Sequence, residues 1–232
     1  MTDDATLRAL DNPVWSCLTT RHAHLAQGGA RVRRYPRDIS PISGVADVSA
    51  DTVAALEALV PAGDDMAIPG PFVPKLGSNW QILHESFATQ MIRTTRDPVR
   101  EGVVDATTLG PADVADMLAL VDLTHPGPFR TRTIELGRFI GIRENGELLA
   151  MAGERMWVGD CREVSGVCTH PRAQGRGYAK ALMARVINRM LRAGETPFLH
   201  VESPNARAID VYRSLGFVKR AEFPLLYAKR IA

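Results

Sequence analysis

The sequence predicts a mixed α/β fold, of the α + β kind, in which helices flank a mixed central sheet. Helical and strand patterns alternate after residue 100, which is typical of mixed α/β chains. Glu144-Asn145-Gly146 lies between two apolar runs, a strong signal for a tight β-hairpin and therefore for antiparallel neighbours. The chain of 232 residues, 45% hydrophobic and 23% charged, has room for one large globular domain or two small ones.

Residues 101–232 carry the cleaner periodic segments. Strands are predicted at 103–109, 137–143, 147–157, 161–169 and 196–202, with one or two more between 217 and 230. Helices are predicted at 111–123, 178–193 and 205–215.

Residues 1–100 contain more Pro, Gly and Asp and form a smaller predicted α/β half. A helix is expected to begin at Pro13 and to run on to the Gly28-Gly29 stop, and a second helix is expected at 52–60. Strands are expected at 30–35, 64–68 and 80–92. We therefore predict an N-terminal half at 1–100 and a second domain at 101–232.

Composition excludes several classes of function. A formal net charge of +2 gives no reason to expect a nucleic-acid partner. No apolar run has the roughly 20 residues needed to cross a membrane, and Met1–Leu10 lacks a signal-peptide core, so a cytoplasmic location is expected. Three scattered cysteines without a CxxC pair argue against disulfides and against a metal site.

The segment from Cys168 to Ala179 carries the chemistry. It joins a predicted strand to a helix, which places Gly175 and Gly177 at the helix N-terminus, where N–H groups without internal partners and the helix dipole favour an anion. Arg176 can add a charge-assisted hydrogen bond. Tyr178-Ala179-Lys180 does not fit a Walker A loop. A pyrophosphate is the natural ligand, and a plain glycine turn is the alternative.

Two further motifs extend this signal. Gln174-x-x-Gly177-x-Ala179 resembles the Gln/Arg-x-x-Gly-x-Gly/Ala signature of the GNAT superfamily of acyl-CoA-dependent N-acetyltransferases. Downstream, Asn205-x-x-Ala208, Tyr212 and Leu215-Gly216-Phe217 resemble the C-terminal segment of that family. The resemblance covers about residues 103–230, and residues 1–100 more weakly resemble the extra GNAT-like half of one branch.

The resemblance implies a GNAT fold in which the fourth and fifth strands splay apart around an acyl-CoA thioester. The fourth strand would be Cys161–Thr169 and the fifth Thr196–Glu202. Acetyl-CoA is the implied cosubstrate. The residues implied to bind it are Val167, Cys168 and Thr169 along the pantetheine, Gln174, Gly175, Arg176, Gly177, Tyr178 and Ala179 at the pyrophosphate, and Asn205, which is equally a helix N-cap.

Three side chains are the candidate catalytic groups. Tyr212 lies seven residues after Asn205, on nearly the same helix face, and would assist the leaving thiolate; a core tyrosine is the alternative. An amine must lose a proton before it attacks, and Glu163 or Glu154 would accept that proton. Either carboxylate could instead be a surface or substrate-binding charge.

The resemblance therefore implies an N-acyltransferase, in particular an N-acetyltransferase, that transfers directly to an amine of a small molecule or peptide. The N-terminal half would shape the acceptor pocket. The alternative is a non-catalytic acyl-CoA sensor or partner-binding protein, which would need no Tyr212. No metal is implied, and a monomer or a homodimer is expected.

Overall fold

The computed structural model describes residues 4–232, and residues 1–3, which belong to the segment Met1–Leu10 considered above, lie outside the described residues. The helices are α1 Asp4–Ala9, α2 Pro13–Thr19, α3 Ala50–Leu59, α4 Val114–Thr124, α5 Tyr178–Arg192 and α6 Ala206–Ser214. The strands are β1 Gln27–Gly28, β2 Val32–Arg34, β3 Ser43–Val45, β4 Asp65–Pro69, β5 Trp80–Arg93, β6 Thr107–Leu109, β7 Phe139–Glu144, β8 Glu147–Val158, β9 Cys161–Thr169, β10 Thr196–Glu202 and β11 Phe217–Arg230. Within residues 4–232, no helix has the length and apolar character needed to cross a bilayer.

Eight of these strands form one mixed sheet in the order β4-β11-β5-β10-β9-β8-β7-β6, and β1–β3 form a small antiparallel sheet. The mixed α/β fold predicted from the sequence is thereby confirmed. The predicted hairpin joins β7 and β8, and its turn has the positive φ values that Asn-Gly favours, 51° at Asn145 and 84° at Gly146.

Helices cover both faces of the large sheet. On one face, α5 and α6 enclose a core built on Ala152, Val164 and Leu199. On the other face, α4 covers Met151 and Cys168, while the N-terminal segment around α2 covers Met156 and Phe198. α5 is buried along the stripe that its 3.6-residue period predicted.

The N-terminal half contributes a central strand to the large sheet. β5 lies between β10 and β11 and is antiparallel to both, with registered pairs from Trp80 to Arg93 along β11. Strands from both sides of residue 100 therefore share one sheet. The sheet is therefore continuous across residue 100. The division into 1–100 and 101–232 stays a prediction about which residues perform which function.

Three predicted elements are clearly shorter than expected, and the strand at 30–35 is one of them, reduced to β2. α2 ends at Thr19 because the hydroxyls of Thr19 and Thr20 donate to the carbonyls of Trp15 and Ser16, which competes with the helical ladder. A separate 3-10 turn follows at Ala23–Leu25.

The strand predicted at 103–109 is reduced to β6. The residues before it run along α5 instead, where Asn188 Oδ1 accepts from the Val99 N–H at 2.8 Å and Arg185 donates to the Val104 carbonyl at 2.6 Å. The predicted helix at 111–123 is a 3-10 turn at Pro111–Asp113 followed by α4, and the one or two terminal strands are a single β11.

Candidate active site

β9 and β10 are paired for only part of their length. Their parallel pairing covers Cys161 to Glu163 on β9 and Thr196 to Phe198 on β10, and the strands separate beyond it. Among the described residues, the edge of β9 from Val164 to Thr169 has no neighbouring strand on the β10 side. The two strands thus form the splay that the resemblance implied.

A β-bulge in β9 accounts for the separation. Met151 and Gly153 of β8 pair with Cys168 and Ser165 of β9, so β9 has one extra residue between them, and Gly166 there has a φ of 61°. A Cβ on Gly166 would lie 2.9 Å from the Phe139 ring. This position therefore requires glycine, and the bulge bends β9 away from β10.

Polar backbone groups of β9 face the gap. The His170 N–H donates to the Leu149 carbonyl on β8 at 2.7 Å, so the N–H of its neighbour Thr169 points the other way, toward β10. The Thr169 hydroxyl is buried and has no partner within residues 4–232. Val167 and Thr169 are half-buried, whereas the Cys168 side chain packs beneath α4, where burial raises the pKa of its thiol to about 11.

The glycine loop lies between β9 and α5. Gly175 and Gly177 have φ values of 82° and 77°, and a Cβ on either would meet nothing within 4 Å, so the loop borders open space. Across the described chain, the N–H groups from Gly175 to Lys180 find no acceptor in the protein. Gln174 and Arg176 are exposed beside them.

Two glutamates that flank the turn of the β7–β8 hairpin bind side chains of the glycine loop. Glu144 Oε1 accepts from the Tyr178 hydroxyl at 2.6 Å and from Arg176 Nη1 at 2.7 Å, and these two bonds lower the pKa of Glu144. Glu147 pairs with Arg172. Sequence reasoning missed both glutamates, although their position on either side of Asn145-Gly146 is a usable signal. Arg176 must leave Glu144 if it is to bind an anion.

This loop and strand edge fit the group that the resemblance implies. Free N–H groups at a helix N-terminus suit a pyrophosphate, and an unpaired strand edge suits an arm that carries amides. Asn205 caps α6, where its Oδ1 accepts from the Ala208 N–H at 3.1 Å.

Tyr212 lies on α6 and packs against the core on the α5 face, with its ring 6.4 Å from that of Phe217. Its hydroxyl has no hydrogen-bond partner among residues 4–232, and burial raises its pKa. Tyr212 is half-buried, and its hydroxyl, unpaired within the described residues, is available to a ligand.

The structure places the two candidate bases on opposite faces of the sheet. Val164 of β9 pairs directly with Glu154 of β8, so these two share a face, and Glu163 lies on the other. Glu154 is 2.6 Å from Arg189 Nε of α5, and its pKa is raised by burial, with Arg189 and Arg162 acting in the opposite direction.

Glu163 lies at the point where β9 and β10 part. Arg155 Nε and Nη2 each donate to its carboxylate at 2.7 Å, and the Met156 N–H donates at 3.3 Å. His200 Nδ1 is 2.8 Å from Oε1. Burial alone would raise the pKa of Glu163, but Arg155 and His200 lower it to about 2. This carboxylate is therefore ionised and its acceptor sites are largely filled.

His200 is a further site residue that sequence reasoning missed. It follows Phe198 by two residues on β10, beside the splay, and its side chain is 7% exposed. Its Nε2 is 3.1 Å from Gln90 Nε2, and Gln90 is fixed by the Leu10 carbonyl and by Arg220. A histidine within a predicted strand next to the splay was the only available signal.

Comparisons with known proteins agree with this geometry. Residues 116–217 match the model of the acetyltransferase (GNAT) family. A putative GNAT-family acetyltransferase from Novosphingobium aromaticivorans is 33% identical, with a TM-score of 0.87 over 95% of this chain and 98% of that one.

Two curated relatives act on amino acids or their analogues. The L-methionine sulfoximine/L-methionine sulfone acetyltransferase of Salmonella typhimurium is 28% identical over 51% of this chain and 84% of its own. The L-amino acid N-acyltransferase MnaT of Escherichia coli is 29% identical over 44% of this chain and 62% of its own. The predicted family and enzyme class are confirmed, and the non-catalytic alternative is not favoured. The chain belongs to the GNAT acetyltransferase family and is an N-acyltransferase.

Proposed function

We propose that the protein transfers the acetyl group of acetyl-CoA to the amine of a small molecule of amino-acid size. The main support for this proposal is the separation of β9 from β10 next to a loop whose N–H groups are unpaired in the described chain. When bound, acetyl-CoA supplies the acyl group as a thioester. The remaining steps depend on residues of this chain.

The loop and the strand edge would share the binding of the donor. The N–H groups of Gly175, Gly177 and Ala179, with Gln174, Arg176 and Tyr178 around them, hold the pyrophosphate. The backbone of Val167, Cys168 and Thr169 pairs with the amides of the pantetheine arm as an added strand. The side-chain amide of Asn205, whose oxygen caps α6, offers its N–H groups to the same arm.

Tyr212 would donate a hydrogen bond to the thiolate as it leaves. Because burial raises its pKa above the ordinary value, the hydroxyl stays protonated at neutral pH. The absence of a partner for this hydroxyl within residues 4–232 supports the role.

We propose that Glu163 and His200 together accept the proton of the attacking amine. Ionised Glu163 orients His200 by accepting from Nδ1–H, so Nε2 is the atom that can take up a proton. Gln90 now donates to Nε2, and the amine must displace that bond. Glu163 as a direct base is less well supported, since Arg155 already occupies both its oxygens. Glu154 lies on the opposite face of the sheet from His200 and is already paired with Arg189.

An α-amino acid or a close analogue is the proposed acceptor. The support is the activity named for the two curated relatives, each of which matches about half of this chain. Residues 1–100 would shape the acceptor pocket, and Gln90 of β5, in contact with His200, is the observation that supports this role. We also propose a cytoplasmic monomer or homodimer that needs no nucleic acid.

Calorimetric titration with acetyl-CoA tests the donor. Ala179 lies in the first turn of α5, where an added carboxylate stabilises the helix but repels a pyrophosphate. We expect Ala179→Glu to weaken binding at least about tenfold relative to the neutral, equally sized Ala179→Gln. Equal binding by the two variants would remove the loop from the donor site.

Thiol release with a panel of acceptors tests the rest. L-methionine sulfone, L-methionine sulfoximine and free L-amino acids are expected to release CoA thiol, whereas short peptides serve as the comparison. Release with peptides alone would contradict the proposed acceptor. His200→Gln should lower kcat/KM about 100-fold, while Glu202→Gln, an exposed change on the same strand, should leave kcat/KM within about twofold.

A further inference from the structure

A second cleft lies away from the acyl-transfer site. It has a volume of about 410 Å³ and is bordered by the turn after α2, the residues before β7, the end of β8 and the side of α5. Arg189, which lines it, is eleven residues along α5 from Tyr178, a distance of about 16 Å at 1.5 Å per residue. The cleft is therefore separate from the glycine loop.

Arg162 of β9 is the central cation of this cleft. It is 9% exposed, and its guanidinium lies 4.0 Å from the centre of the Trp157 ring. Its guanidinium forms long ion pairs with Glu154 and Glu195, at 3.7 and 3.5 Å, and donates no hydrogen bond within residues 4–232. Buried guanidinium groups normally have their donors filled. Arg162 Nε is buried without an acceptor within residues 4–232, and the residue lines the cleft.

Two exposed arginines add to the charge of the cleft. Arg21 lies 4.4 Å from the Trp157 ring centre, and neither Arg21 nor Arg138 has a carboxylate partner in the described part of the chain. The two acids that line the cleft are already engaged, Glu154 by Arg189 and Glu135 by Arg132. The cleft therefore contains two arginines without carboxylate partners among the described residues, whereas both of its own carboxylates are paired.

The protonation state of the neighbouring His22 reflects burial and the nearby positive charge. His22 lines the cleft and accepts or donates one hydrogen bond with the Tyr35 hydroxyl at 2.9 Å. Burial, and then the charge of Arg162, lower its pKa to about 4. His22 is thus neutral at physiological pH and adds no charge of its own.

We propose that this cleft binds a small polyanion bearing carboxylate or phosphate groups, at a site distinct from that of acyl transfer. Arg162 receives one anionic group in its fork of donors, and Arg21 and Arg138 neutralise a second. The volume suits a small molecule and not a polymer. Because Arg162 directly precedes Glu163, an occupant contacts the strand that orients His200.

Calorimetric titration with two probes, citrate and inorganic phosphate, at fixed ionic strength tests the proposal and separates the two anion types. We expect binding of at least one probe, weakened about tenfold by Arg21→Ala and by Arg138→Ala. Arg192→Ala is the matched control, because Arg192 is also exposed and unpaired within residues 4–232 but does not line the cleft. It should change affinity less than about twofold.

Three results would overturn the proposal. The first is no binding of either probe. The second is equal weakening by Arg192→Ala, which would indicate general charge attraction. The third is loss of binding in Ala179→Glu, which would place the anion at the glycine loop. Arg162→Lys, with its fold checked by near-ultraviolet circular dichroism, should also weaken binding because it removes the fork and keeps the charge.

Discussion

Neutralising Glu163 should destabilise the fold substantially. Its side chain is fully buried, and that of Arg155 is 12% exposed, so Glu163→Gln leaves a buried guanidinium without its counter-charge. Breaking such a pair costs about 3–5 kcal/mol. The fall of the Glu163 pKa from 4.5 to about 2 gives a similar figure of about 3 kcal/mol.

The pH dependence has a defined sign. Because folding lowers the pKa of Glu163, the ionised carboxylate stabilises the protein fully above about pH 4.5. That stabilisation disappears as the pH falls from about 4.5 to about 2. The difference in unfolding free energy between wild type and Glu163→Gln should therefore be largest at neutral pH and shrink across this window.

Urea unfolding followed by circular dichroism measures this difference. Glu135→Gln is the control, because the Arg132–Glu135 pair has similar geometry but is more than 40% exposed on both sides and should contribute at most about 1 kcal/mol. A loss below about 1 kcal/mol for Glu163→Gln, unchanged between neutral and acidic pH, would refute the reasoning.

Three further predictions concern the site and the sheet. Tyr212→Phe should slow thiol release about 100-fold and leave calorimetric acetyl-CoA affinity within about twofold; unchanged turnover would exclude Tyr212 from the reaction. Gly166→Ala, at a φ of 61° and 2.9 Å from Phe139, should lower unfolding free energy by about 2 kcal/mol and weaken acetyl-CoA; a neutral result would show that β9 does not need this bulge. Residues 101–232 expressed alone should fail to fold by circular dichroism, because they lack β5; a cooperative unfolding transition would contradict this.

Local patterns predicted much of the structure of residues 101–232. The Asn145-Gly146 turn, the stripe of α5 and the glycines before it each follow from short-range rules, and the structure has a hairpin, a buried helix face and an open loop at those positions. The splay of β9 was expected from the family resemblance, but its cause, a bulge at Gly166, depends on the register with β8 and could not be read from one strand.

The pairing of strands that are distant in the chain could not be predicted from the sequence. Nothing local to residues 80–93 indicates insertion between β10 and β11, because strand periodicity reports which faces are buried and not which strand is the neighbour. His200 was missed for the same reason: its role depends on Gln90 and Glu163, which come from strands distant in the chain.

The position of β5 also constrains how the protein can fold during synthesis. β5 leaves the ribosome well before β10 and β11, the two strands that flank it in the sheet. β5 cannot pair with either neighbour until β10 and β11 have been made, and Ile82, Leu83 and Phe87 are exposed even in the finished fold. Late closure of so long a loop slows folding and gives chaperones a defined segment to protect.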